Sequence, residues 1–123
     1  MINNIKNPAI LFKADGVVLE GKKKGKDLGF PTANVPCDNS IPAGIYAGEV
    51  IWKGIAYPAA IYKGEAKNFV EAHLLDFSGN LYGETITIMA EQKIRDSRIF
   101  PDKKELIEAI SRDIADIKKC LQE

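Results

Sequence analysis

Leu81-Tyr82-Gly83-Glu84-Thr85-Ile86-Thr87-Ile88-Met89-Ala90-Glu91-Gln92-Lys93-Ile94 is the stretch whose reading decides the fold. Ile86 and Ile88 alternate with Thr85 and Thr87, so one face is apolar and the other polar. A period of two belongs to a strand with one buried side, because successive side chains leave an extended backbone on opposite faces. Working back from it, Ser78-Gly79-Asn80 is turn chemistry and Phe69 to Phe77 is a further strand. Ile45 to Trp52 and Ile55 to Tyr62 are rich in β-branched and aromatic residues and are joined by Lys53-Gly54, a hairpin turn. Ser40-Ile41-Pro42-Ala43-Gly44 is a turn, Leu28 to Val35 is extended but broken by its glycine and proline, and Ala14 to Leu19 is a short strand. Forward of the opening stretch the period changes. Leu106, Ile110, Ile114, Ile117 and Leu121 recur every three or four residues and make one helical stripe. Asp102 followed by Glu105 fits a capping-box variant, with Pro101 just outside it. Short strands followed by one helix predict a mainly β domain, closed or sandwiched, with the helix outside the barrel or across one end.

The bulk numbers set limits on function. A chain of 123 residues with 46% hydrophobic side chains is the size of one domain, expected to span residues 1–123, and can bury a core without metal or disulfide staples. Lys plus Arg and Asp plus Glu each number 17, so a generic nucleic-acid surface is not expected and any anion site must be local. Cys37 and Cys120 form no CxxC pair and are expected as free thiols of a reducing compartment. Met1 to Leu11 has no apolar run of signal-peptide length, and no stretch approaches a bilayer span. A soluble cytoplasmic protein without a membrane partner is the expectation.

Three constellations could carry chemistry. Gly21-Lys22-Lys23-Lys24-Gly25-Lys26-Asp27-Leu28-Gly29 combines glycines, which let backbone N–H groups approach a phosphate, with lysine charge. It is not a Walker A loop, since only three residues separate Gly21 from Gly25 and Asp27 follows Lys26. Taken alone, the run is better read as a solvated basic turn. In Pro31-Thr32-Ala33-Asn34, Thr32 and Asn34 lie two apart on an extended chain and present a hydroxyl and a carboxamide oxygen to one side. Such neutral hard oxygens suit magnesium shared with phosphates, although Thr and Asn also commonly hydrogen-bond a local turn. In Val70-Glu71-Ala72-His73-Leu74, alternation puts Glu71 and His73 on one face, and a projecting carboxylate can take a proton from a substrate hydroxyl. His73 is the only histidine, so His-rich metal sites and a Ser-His-Asp triad lack support.

In series these pieces resemble the riboflavin kinase family. The resemblance runs through Gly16-Val17-Val18, Gly21, Gly25, Leu28-Gly29-Phe30-Pro31-Thr32-Ala33-Asn34, Ile41-Pro42-Ala43-Gly44-Ile45-Tyr46, Val70 to Phe77, Leu81-Tyr82-Gly83, Ile94-Arg95 and Phe100. It implies a six-stranded antiparallel Greek-key barrel with a C-terminal helix, and an enzyme that moves the γ-phosphate of ATP to the 5′-hydroxyl of riboflavin with magnesium. Carried over by position, Glu71 is the general base, and Thr32 and Asn34 hold magnesium and phosphate oxygens. Gly21, Lys22, Gly25, Lys26, Gly29 and Pro31 belong to the loop over the ATP phosphates. Glu71, Arg95 and Phe100 face the flavin, the last two in a mobile flap. The family usually has an Ile-Gly-x-x-Pro-Thr or Asn-Pro element before the glutamate, whereas Ile61 to Phe69 is shorter and lacks proline, which implies an altered flavin pocket. A monomer acting on riboflavin and ATP is expected, and a barrel that binds flavin or nucleotide without turnover is the alternative.

Overall fold

The computed structural model describes residues 10–19, 32–38 and 40–121. Six strands, β1 (Phe12–Val17), β2 (Ala33–Pro36), β3 (Gly44–Trp52), β4 (Ile55–Lys63), β5 (Phe69–Leu74) and β6 (Thr85–Arg95), precede one helix, α1 (Lys103–Leu121). Every pairing is antiparallel and the strand order is β1-β6-β3-β4-β5-β2. The two outer strands nearly close the sheet into a barrel, since Leu19, just past β1, bridges Asn34 of β2 and donates its N–H to the Asn34 carbonyl at 2.8 Å. Closure matters physically, because it removes the unpaired edges an open sheet would present.

Two apolar layers follow from the alternation along each strand. Val35, Val50, Ile61, Val70, Ile86 and Ile88 point inward and are fully buried in the barrel. The second layer lies outside, where Ile45, Ala47, Ala60 and Leu75 pack against Ile117 of the helix, with Tyr62, Ile94 and Ile114 at its margin. The helix therefore covers the outer surface of β3, β4 and β6, one of the two placements its stripe allowed. Its start is capped as the sequence predicts, the Asp102 carboxylate accepting the Glu105 N–H at 2.8 Å. Its most buried residues are Ala109, Asp113 and Ile117, of which the first two lie one residue before Ile110 and Ile114 and the third belongs to the aliphatic stripe itself.

Some boundaries differ from expectation for local reasons. The strand read from Leu81 begins only at Thr85, because the Asn80 side chain accepts the Tyr82 N–H at 2.8 Å and Gly83 adopts φ 82°, which folds residues 80–84 into turns. The strand read to Phe77 stops at Leu74, ahead of Asp76 in the left-handed region. The Lys53-Gly54 hairpin forms, with both residues at positive φ as a type I′ turn demands. Cys37 and Cys120 are free thiols, and no described helix is long and apolar enough to cross a membrane.

β3 and β6 shift register twice, once between Ala47 and Gly48. At that shift the backbones come so close that a Cβ on Gly48 would sit 2.0 Å from the Met89 carbonyl oxygen and 2.8 Å from Ile61 Cδ1. A backbone oxygen cannot rotate away as a side chain can. Gly48→Ala should therefore lower stability by about 2–4 kcal/mol in urea unfolding. A loss below about 0.5 kcal/mol would show that the strands part at little cost.

Candidate active site

The register of the sheet sets five residues in one row across five strands. Asn34 of β2 pairs with Glu71 of β5, Glu71 with Tyr62 of β4, Tyr62 with Ile45 of β3, and Ile45 with Arg95 of β6. Directly paired residues share a face, and the inward places on β5 are held by Val70, Ala72 and Leu74, so the row lies on the outside of the barrel. With strands about 4.8 Å apart, Glu71 and Arg95 are separated by about 14 Å across the sheet. The row thus has a carboxylate end and a guanidinium end.

At the carboxylate end, Thr32 lies immediately before β2 and two residues ahead of Asn34. Its hydroxyl donates to Glu71 Oε2 at 3.3 Å, long for a hydroxyl–carboxylate bond and easily exchanged for a bound alcohol. Asn34 Oδ1 is enclosed and finds no hydrogen-bond partner among the described residues. A buried acceptor left in that state costs about 1–3 kcal/mol, so the amide oxygen is poised for a ligand. Thr32 Oγ1 and Asn34 Oδ1 are neutral hard oxygens, and this donor set fits magnesium carried in with phosphate oxygens. Among the described residues no three His, Cys, Asp or Glu side chains cluster as an all-protein metal cage. His73 is two pairs along from Glu71 on the same face, opposite Ala60.

At the guanidinium end, Arg95 is the last residue of β6 and grips Asp113 of the helix with two hydrogen bonds, Nε to Oδ1 at 2.8 Å and Nη2 to Oδ2 at 2.7 Å. Its third contact is Nη1 to the Asp96 carbonyl at 3.0 Å. The hydrogen bonds to Asp113 hold the guanidinium pKa above its ordinary value. Phe100, in the segment between β6 and α1, lies 5.5 Å from the Arg95 guanidinium and 4.7 Å from that of Arg98, within cation–π range of both. Arg95 itself is anchored, and residues 96–102 beyond it have neither strand nor helix.

Between the two ends stands Tyr62. Its hydroxyl is enclosed and has no hydrogen-bond partner among the described residues. Burial pushes its pKa far above the ordinary phenol value, the charges of Asp113 and Glu71 push the same way, and Arg95 opposes them. The phenol is neutral at any working pH.

Of the residues singled out from sequence, Thr32, Asn34 and Glu71 come together at one end, and Arg95 and Phe100 at the other. Gly21, Lys22, Gly25, Lys26, Gly29 and Pro31 lie outside the described residues. Three residues were missed. Asp113 was legible as a charge four residues from both Ala109 and Ile117 on a helix, at the seam of the apolar stripe. Tyr62 shared its strand parity with outward Ala60, but only the long-range register puts it beside Glu71. Lys63 alternates with inward Ala59 and Ile61 and is 2% exposed, its ammonium donating to the Gly64 carbonyl at 2.9 Å.

The fold and site define a small six-stranded β-barrel domain whose outer face sets a carboxylate beside two neutral oxygen donors. The family model described as riboflavin kinase (flavokinase) matches residues 10–121, and the chain belongs to that family. It is 34% identical over 119 residues to a bifunctional riboflavin kinase/FMN adenylyltransferase of Buchnera aphidicola from Schizaphis graminum, covering 88% of this chain and 38% of that protein. A protein of the same description from Bacillus subtilis is 36% identical over 110 residues, covering 80% of this chain and 35% of its own. The chain thus spans less than two fifths of the length of these two relatives. Among solved structures, the riboflavin kinase of Trypanosoma brucei superposes with a TM-score of 0.66 at 25% identity, over 90% of this chain and 77% of the other.

The Arg95–Asp113 ion pair ties the helix to the row. Asp113 has a side-chain exposure of 5%, so Asp113→Ala should strand a guanidinium and cost about 2–3 kcal/mol in chemical denaturation. A cost under about 0.5 kcal/mol would show that solvent replaces the carboxylate without penalty.

Proposed function

We propose that the domain transfers the γ-phosphate of ATP to the 5′-hydroxyl of riboflavin, giving FMN and ADP. The observation that carries this reading is the meeting of Thr32, Asn34 and Glu71 on one outer face of the barrel. Phosphoryl transfer asks a protein for alignment and charge neutralisation more than for covalent chemistry. Thr32 Oγ1 and Asn34 Oδ1 would hold magnesium, which when bound neutralises charge on the phosphate oxygens. Glu71 accepts a hydrogen bond from Thr32 in the free protein and would accept one from the acceptor hydroxyl in its place. An alcohol is a weak acid, so the proton passes to the Glu71 carboxylate as the new oxygen–phosphorus bond forms. Arg95 and Phe100 supply a cationic and an aromatic surface about three strand spacings away, suited to a flat flavin ring. The Gly21 to Gly29 loop is assigned to the phosphates on its sequence alone.

The direct test is chromatographic detection of FMN from riboflavin, ATP and magnesium. Glu71→Gln keeps the shape and removes the proton acceptor, so turnover should fall by about 10²-fold or more. FMN formation at the parental rate by that variant would refute the assignment of the base, and a folded parent that yields none would refute the kinase reading.

The two neutral donors yield a separate expectation. Thr32→Ala and Asn34→Ala should each cut kcat by about 10²-fold while shifting riboflavin affinity by less than about threefold. Equal loss of both in a folded protein would remove the metal assignment. Without nucleotide the protein should bind magnesium only weakly, and tight binding by calorimetry would contradict a site built on two uncharged side chains.

A further inference from the structure

Tyr62 stands in the row between Glu71 and the Arg95 end, on the carboxylate side of Ile45, which the helix covers. It is the direct cross-strand neighbour of Glu71, and its other neighbour, Ile45, is paired with Arg95. Its ring packs at the margin of the layer beneath the helix, where a phenylalanine would pack as well. The hydroxyl is what packing does not explain. It is shut off from solvent, yet no described residue hydrogen-bonds it. The charged groups around it are engaged elsewhere. Both carboxylate oxygens of Asp113 accept from Arg95, a further Arg95 hydrogen bond goes to the Asp96 carbonyl, and Glu71 accepts from Thr32.

We propose, on the reading of this domain as a riboflavin kinase, that Tyr62 determines acceptor specificity by hydrogen-bonding a non-reacting hydroxyl of the ribityl chain while Glu71 holds the terminal one. A polyol carries a hydroxyl on each carbon, so a chain lying across β4 and β5 offers one to each strand. A phenol matches an alcohol because each can donate and accept. Burial keeps the phenol protonated, so it is always able to donate. Recognition of this kind favours the hydroxylated flavin, since one lacking side-chain hydroxyls leaves the enclosed phenol as unpaired as it is in the free protein.

Tyr62→Phe removes one oxygen and leaves the ring. Binding of riboflavin and of lumiflavin, which has the same ring with a methyl group in place of the ribityl chain, can be followed by flavin fluorescence beside steady-state FMN formation. The dissociation constant and KM for riboflavin should rise about three- to tenfold, with KM for ATP unchanged. Lumiflavin should bind the variant as tightly as it binds the parent, or more tightly, and the ligand-free variant should melt at the parental temperature or above. Unchanged riboflavin binding in a parent that makes FMN would overturn this inference alone. Equal weakening for both flavins would overturn it too, by assigning Tyr62 to the ring. A parent that binds neither flavin and makes no FMN would overturn the kinase reading and this inference with it.

Discussion

The antiparallel pairing of β2 with β5 is the constraint on which the candidate site depends. It sets Asn34 opposite Glu71 and Ala33 opposite Ala72, and one residue of slip would turn Glu71 into the barrel and Val70 out of it. The apolar inward set Val35, Val70 and Ala72 forbids that slip, because burying a carboxylate in place of valine costs far more than a register preference supplies. The same core that closes the barrel thereby fixes which oxygen atoms meet outside it. Structure and site share one energetic cause.

The row continues across β4, β3 and β6, and there a second constraint takes over. The double register shift between β3 and β6 brings Arg95 level with Ile45, and the close approach at Gly48 is part of that shift. Asp113 then locks the guanidinium from the helix side with both carboxylate oxygens. The helix is thus more than a cover for apolar surface. It holds one end of the row, whose other end, Thr32 with Glu71, is set by the strands.

Much of this was legible in the sequence because it is local. Alternation in Thr85 to Ile88, the Lys53-Gly54 turn and the Asp102 cap each express a short-range rule, and each element formed where its rule placed it. Thr32 and Asn34 were legible as a pair because two residues apart on an extended chain means one face. Their meeting with Glu71 joins residues 39 positions apart, and only the family resemblance anticipated it. Tyr62 and Asp113 escaped because their significance lies in what they face across strands and across the helix. The turn of residues 80–84 escaped for the opposite reason, since the Asn80 side chain and Gly83 override the alternation that follows them.

The most direct test of the account is a crystal structure of the protein with riboflavin, magnesium and a non-hydrolysable ATP analogue. The terminal ribityl hydroxyl should lie about 3 Å from the Glu71 carboxylate, with Thr32 and Asn34 on the metal and the flavin ring toward Arg95 and Phe100. A flavin bound away from this row, or one whose ribityl end points away from Glu71, would contradict it.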